Sequence, residues 1–185
     1  QWLDPNTPSL ARQLQQAGYA IGHFGKWHMG GQRDVGNAPL PAAYGFDRSL
    51  TNFEGLGPRV LPLCDAYDGS PTRRHDLGSA TLGHGPVTWQ DRATVTTAYV
   101  DAAIRFIDHA AAADQPFFVN LWPDDVHSPF FPPRDLRAAT DGQLAPPRGQ
   151  HHLQLRHVTL PALRQAASAW AAGAPPGCSS AAWRS

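Results

Sequence analysis

From Gly18 to Gly31 the chain reads Gly-Tyr-Ala-Ile-Gly-His-Phe-Gly-Lys-Trp-His-Met-Gly-Gly, an apolar run that ends in two cationic side chains among glycines. Tyr19 to Phe24 alternate in the manner of a strand, and glycines at 25, 30 and 31 permit sharp backbone turns just beyond it. The end of a strand is where open α/β sheets place their ligands. Lys26 and His28 are two residues apart, so an extended backbone sends both side chains to one face. An ammonium beside an imidazole that titrates near neutrality suits an anion on which charge builds during a reaction. Read from these residues alone, Lys-Trp-His serves equally as an exposed loop anchored by a buried Trp27.

The flanking sequence supplies helices for such a sheet. Thr7-Pro8-Ser9 predicts a helix start, with Thr7 as the cap and Pro8 at the first helical position. Leu10, Leu14 and Ala17 then fall on one face, and Gly18 closes the helix. Residues 32–90 are rich in Gly and Pro and predict long loops with short strands or turns, the kind of chain that builds pockets. In that region Asn52 and Glu54 are candidates to reach a sugar hydroxyl or leaving group, or else satisfy backbone groups in a turn. Asp65, Asp68, Arg73, Arg74, His75 and Asp76 read as a solvated surface. Thr88-Trp89-Gln90-Asp91 predicts the start of a long helix, with Thr88 as cap and Asp91 three residues on. Val95, Tyr99, Ala102, Ala103, Phe106, Ile107 and Ala110 continue it at helical spacing to about residue 113. Phe117 to Trp122 then reads as a buried strand. A helix followed by a strand occurs twice, so a layered α/β sheet is expected.

Beyond that second strand runs Pro-Asp-Asp-Val-His-Ser-Pro, from Pro123 to Pro129. Two strands delivering Lys26, His28 and His127 to one sheet edge would form a cationic pocket for a tetrahedral oxyanion. Asp124 and Asp125 are candidates to orient His127 or to hold a hard cation. Composition narrows the partners. With 15 Lys and Arg against 15 Asp and Glu, the net charge of zero gives no reason to expect nucleic acid or an acidic membrane, so attraction for an anion must be local. Two cysteines, Cys64 and Cys178, make neither a disulfide framework nor a Cys-rich zinc site. No apolar run approaches the roughly 20 residues of a membrane span, and the start of the chain shows no signal region.

The stretch from Gly18 to Gly30 resembles the aGYxTxxxGKWHxG signature of the type I sulfatases, members of the alkaline phosphatase superfamily. Tyr44-Gly45-Phe46-Asp47 resembles the GFD segment that follows it in that family, and Phe117 to Pro129 resembles the PFF strand with its aPHxP histidine. The resemblance covers roughly residues 3–137. It implies an alkaline-phosphatase-like α/β sandwich, with a mixed, mostly parallel sheet between helices, and hydrolysis of sulfate monoesters of a carbohydrate or small molecule. By the same resemblance Lys26 would bind a sulfate oxygen, His28 would hold the nucleophile and act as base, and His127 would sit at the ester oxygen. It also implies calcium in the complete protein and a periplasmic or extracellular location.

The family's C-x-P-S-R or S-x-P-S-R nucleophile motif does not occur in the 185 residues, and neither do the paired aspartates of its first strand, usually in a DDxG context, or its later Asp-Asn pair. The expectation is a fragment, with residues 1–141 forming part of the catalytic domain, no calcium bound and no turnover by this chain alone. After Asp141 there is no Asp, Glu or Lys, and residues 142–185 are expected to be a low-complexity tail, out of frame or disordered. Two rivals remain: a phosphoester or phosphonate hydrolase of the same superfamily, since a lysine–histidine pocket does not separate sulfate from phosphate, and a non-catalytic protein that binds anions or sulfated glycans.

Overall fold

The structure, a computed structural model, describes residues 2–30, 36–54, 56–64, 71–82 and 85–124. Helix α1 spans Leu10–Gln16 and is capped by Ser9, whose hydroxyl accepts the Arg12 N–H at 3.2 Å and donates to the Tyr44 carbonyl. The cap therefore falls two residues after Thr7, because Ser9 serves a local and a distant group at once. Leu10, expected on the buried face, is 59% exposed, and Ala11 with Leu14 makes the inward contact. Gly18 ends the segment with φ at +89°.

Strand β1, Ala20–Gly25, is buried at all six residues. It lies between β2, Arg48–Thr51, and β6, Phe117–Trp122, and runs parallel to both. A parallel strand needs cover on both faces, which explains the continuous burial. Helix α2, Val95–Ala112, covers one face through Val95, Tyr99, Ala103, Phe106 and Ala110 against Ala20, Phe24 and Val60. The other face carries Ile21, Trp27, Tyr44 and Phe46 against Ala11 of α1. Between them the two helices make the sandwich the sequence predicts. The Gly-Phe-Asp segment closes the α1 side: Asp47 accepts the Ile21 N–H at 2.8 Å, and Gly45 leaves room for the Arg12 backbone, which a Cβ would approach to 2.8 Å.

Residues 88–91 are not helical. They belong to strand β5, Val87–Asp91, which pairs in parallel with β3, Arg59–Cys64, over five residues. A ladder of five pairs outweighs a capping pattern, and Val87, Thr88 and Trp89 suit a strand. Asp91 is still a cap, accepting the Ala93 N–H ahead of a short 3-10 turn that leads into α2. The loop-rich region therefore holds four strands: β2, β3, the two-residue antiparallel β4 (Arg73–Arg74) and β5. Arg59, buried at the start of β3, donates to the carbonyls of Ser79 and Leu82 and so ties the following loop to the sheet. Cys64, at the end of β3, is buried, and burial pushes its thiol up to about 11. No helix of the described residues is long and apolar enough to cross a membrane. Residues 142–185, like Cys178, lie outside the described residues.

His23 sits inside the α1 face with no exposed surface, and burial lowers its pKa from 6.5 to about 4 against smaller upward pulls from the Lys26 and Gly25 backbone. The unfolded chain therefore takes up a proton near pH 6.5 that the folded chain refuses until about pH 4. This contribution to stability is whole above pH 6.5 and about 3 kcal/mol of it is lost as pH falls to about 4. Urea unfolding at pH 7 and at pH 4 should show a smaller fall for His23→Phe than for the parent chain, by that amount. At Gly25, φ is +117° and a Cβ would stand 1.8 Å from the Trp122 carbonyl oxygen, whereas a Cβ on Gly18 meets nothing within 4 Å. Gly25→Ala should cost about 3 kcal/mol or more and Gly18→Ala about 1 kcal/mol, read as shifts of the urea midpoint.

Candidate functional site

Pairing brings Gly25 level with Thr51 and with Trp122, so β1, β2 and β6 end together at one edge. Whatever follows these three strands is delivered to the same place: Lys26 to His28 after β1, Asn52 to Glu54 after β2, Asp124 after β6. Strand β3 begins where β2 ends, with Arg59 opposite Thr51. The β3–β5 pair therefore stands beyond the level of that edge and brings Arg92, just past β5, to its side.

Both polar groups of the Lys26 backbone are held. Its N–H donates to the Trp122 carbonyl at 2.8 Å and its carbonyl lies 3.0 Å from His23 Nε2. Trp27 is buried in the α1 core at 1% exposure, while Lys26 is half-buried and His28 exposed. One anchored indole thus separates two basic side chains that remain outside the core. His28 Nδ1 is 3.7 Å from Glu54 Oε2, an ion pair whenever the imidazole is protonated. Its side chain is 66% exposed, so the pair orients the ring more than it stabilises the fold.

Behind this rim lies a buried polar chain. Asn52 Oδ1 accepts the Trp27 N–H at 3.4 Å, and its amide nitrogen donates to Asp124 Oδ1 at 2.9 Å. Arg92 Nη2 is 3.6 Å from Asp124 Oδ2 and donates to the Asp124 carbonyl at 2.9 Å. Asn52, Asp124 and Arg92 are each 3% exposed or less. Asn52 is therefore engaged at both ends within the protein and does not face a ligand, a departure from its candidate role at a sugar hydroxyl. Its partners are a backbone amide 25 residues away and a carboxylate 72 residues away, so it is not the local turn side chain of the alternative reading either. Asp124 is likewise committed to Asn52 and Arg92.

His75 packs edge-on against Phe53, with ring centroids 5.8 Å apart, and burial lowers its pKa, with Arg92 adding to the fall and Asp76 and Asp124 opposing it. Nothing in the local sequence separates His75 from the solvated run around it. Arg92 and His23 were also not singled out by sequence; the signal for His23 is an imidazole within a strand, three residues before the lysine. His127 and Asp125 lie outside the described residues. Among the described residues no group of three His, Cys, Asp or Glu side chains is gathered in a way that would hold a metal ion. A cavity of about 760 Å³ runs along the α2 side of the sheet between Tyr19 and Leu50, and Lys26 does not line it.

Known proteins resemble this chain in sequence and in fold. Arylsulfatase G of Canis lupus familiaris is 28% identical over 144 residues, covering 69% of this chain and 26% of that protein. The human protein of the same name is 27% identical over 158 residues, covering 76% and 29%. The chain thus spans about a quarter of the length of these relatives. Among solved structures, Ps i-CgsB superposes with a TM-score of 0.60 at 19% identity, covering 92% of this chain and 38% of that one. Its complex with k-i-k-neocarrahexaose gives 0.54 at the same identity, over 90% and 38%. At that identity the likeness concerns the fold, which is the mixed, mostly parallel α/β sheet described above. The sulfatase family model matches residues 3–159, a span that includes both strand ends built around Lys26 and Asp124, and the chain belongs to the sulfatase family.

Proposed function

We propose that the protein of which this chain is part hydrolyses sulfate monoesters of a carbohydrate, and that the level ends of β1, β2 and β6 form one side of the site that holds the sulfate group. The observation that carries this reading is the placement of Lys26 and His28 on either side of a buried Trp27, at an edge shared by three parallel strands. Family membership and the neocarrahexaose held by Ps i-CgsB support a sulfated sugar as the substrate class. A periplasmic or extracellular location goes with the same reading.

In this scheme the Lys26 ammonium binds a sulfate oxygen and offsets charge as the S–O bond breaks. His28, with Nδ1 toward Glu54, leaves Nε2 for the ligand side, where it can take or return a proton. Glu54 then acts by orienting His28 and not by touching the sugar. His127 would stand at the ester oxygen as donor. The family's nucleophile motif does not occur among the 185 residues. Calcium does not fit the described residues: the carboxylate of Asp124 faces a guanidinium and an amide, leaving no oxygen cage for a hard cation. No step is therefore routed through a metal.

Titration of the purified chain with inorganic sulfate, followed by NMR at His28 and Lys26, should show saturable binding that Lys26→Ala weakens by about tenfold or more. Parallel titrations with phosphate and with sulfated and unsulfated oligosaccharides decide between sulfate, phosphate and plain sugar recognition. Binding that is indifferent to Lys26→Ala would overturn the reading. Incubation with an aryl sulfate should give no turnover by the 185-residue chain, and hydrolysis that disappears in Lys26→Ala would contradict that expectation.

A further inference from the structure

We propose that His23 is a positioning residue for Lys26: its imidazole donates from Nε2 to the Lys26 carbonyl and so fixes the peptide from which the anion-binding ammonium projects. The inference rests on the role given to Lys26 above, but its geometry stands apart from that role. A carbonyl oxygen can only accept, so the 3.0 Å contact requires the tautomer with its proton on Nε2. The lowered pKa of His23 keeps the ring in that neutral form throughout the physiological range.

The ring is fixed on several sides. Trp27, Phe46 and Trp122 meet it edge-on, with centroids 5.0, 5.3 and 5.4 Å away. Nδ1 is buried without a hydrogen-bond partner. A buried acceptor left unpaired is a penalty that a phenyl ring of similar volume would not carry. Packing alone therefore does not account for an imidazole at this point, and the bond to Lys26 does.

The backbone there needs such a bond. Gly25, the last residue of β1, is at φ +117° and has no side chain to restrict rotation, and the ladder does not continue past it. The orientation of the Lys26 peptide groups is left to three external partners: the Trp122 carbonyl on the Lys26 N–H, His23 on the Lys26 carbonyl, and Asn52 on the Trp27 N–H at 3.4 Å. The Asn52 contact is the longest, and the Trp122 contact lies on the other side of the residue. Among the described residues, His23 is the group that holds the carbonyl joining Lys26 to Trp27. Without it that peptide keeps only the 3.4 Å Asn52 contact on its N–H, and the direction of the half-buried lysine is less firmly set.

Isotope-labelled full-length chain provides the test, with His23→Phe to remove the donor while keeping the ring volume and His23→Gln to return an N–H donor. The parent chain should show a protected Nε2–H signal and a through-hydrogen-bond coupling from His23 Nε2 to the Lys26 carbonyl carbon. That carbon should shift in His23→Phe and return in His23→Gln. Affinity for inorganic sulfate should fall about tenfold in His23→Phe and be largely recovered in His23→Gln. Absence of the coupling in the parent chain overturns the proposal, and this readout stands even if a variant does not fold. An unmoved Lys26 carbonyl in folded His23→Phe overturns it as well, as does undiminished sulfate affinity. If the parent chain binds no sulfate, the reading of the edge as a sulfate site fails, while the coupling and the carbonyl shift still decide the role of His23.

Discussion

The approach of two backbones at Gly25 and Trp122 governs the geometry of this molecule. The Trp122 carbonyl occupies space that any side chain at residue 25 would take, and it accepts the Lys26 N–H in the same place. Because β1 and β6 close against each other there, their following loops leave the sheet at one level, and β2 joins them through the pairing of Gly25 with Thr51. A functional edge formed this way depends on register: a slip by one residue would send Lys26 to the opposite face and Trp27 into solvent.

Behind the edge, charge is buried and compensated. Arg92 and Asp124 are almost wholly removed from water, a state that is costly unless each ion is paired and hydrogen-bonded. Asn52 extends the pair toward the Trp27 amide, so that an ion pair beneath the rim is connected to the backbone between the two candidate cations. Buried polar chains of this kind contribute little net stability compared with an apolar core, but they tolerate few alternative arrangements. The rim itself is more open at His28, whose ring faces water on one side and the largely covered Glu54 on the other.

Much of this was legible in the sequence where a local pattern coincided with a tertiary one. Tyr19 to Phe24 and Phe117 to Trp122 are short and apolar and form strands, and the buried stripe on α2 follows the spacing from Val95 to Ala110. The family emerged from Lys26, His28 and the segments around them. Other features depended on partners distant in sequence. Thr88 to Asp91 has the pattern of a helix start, but β3 offers five ladder positions that no local rule can foresee. Thr7 and Ser9 are both acceptable caps, and the Tyr44 carbonyl, 35 residues away from Ser9, favours the second. Asn52 looked like a ligand-facing polar residue because its burial between Trp27 and Asp124 arises only when three strands end together.

The burial of Cys64 bears on how the folded chain responds to oxidants. Its sulfur is enclosed at the end of β3 and holds its proton well above the range of ordinary biological pH. Thiol–disulfide exchange needs a thiolate that can reach its target. This sulfur meets neither condition, so in the folded sheet it resists exchange even with an oxidant present.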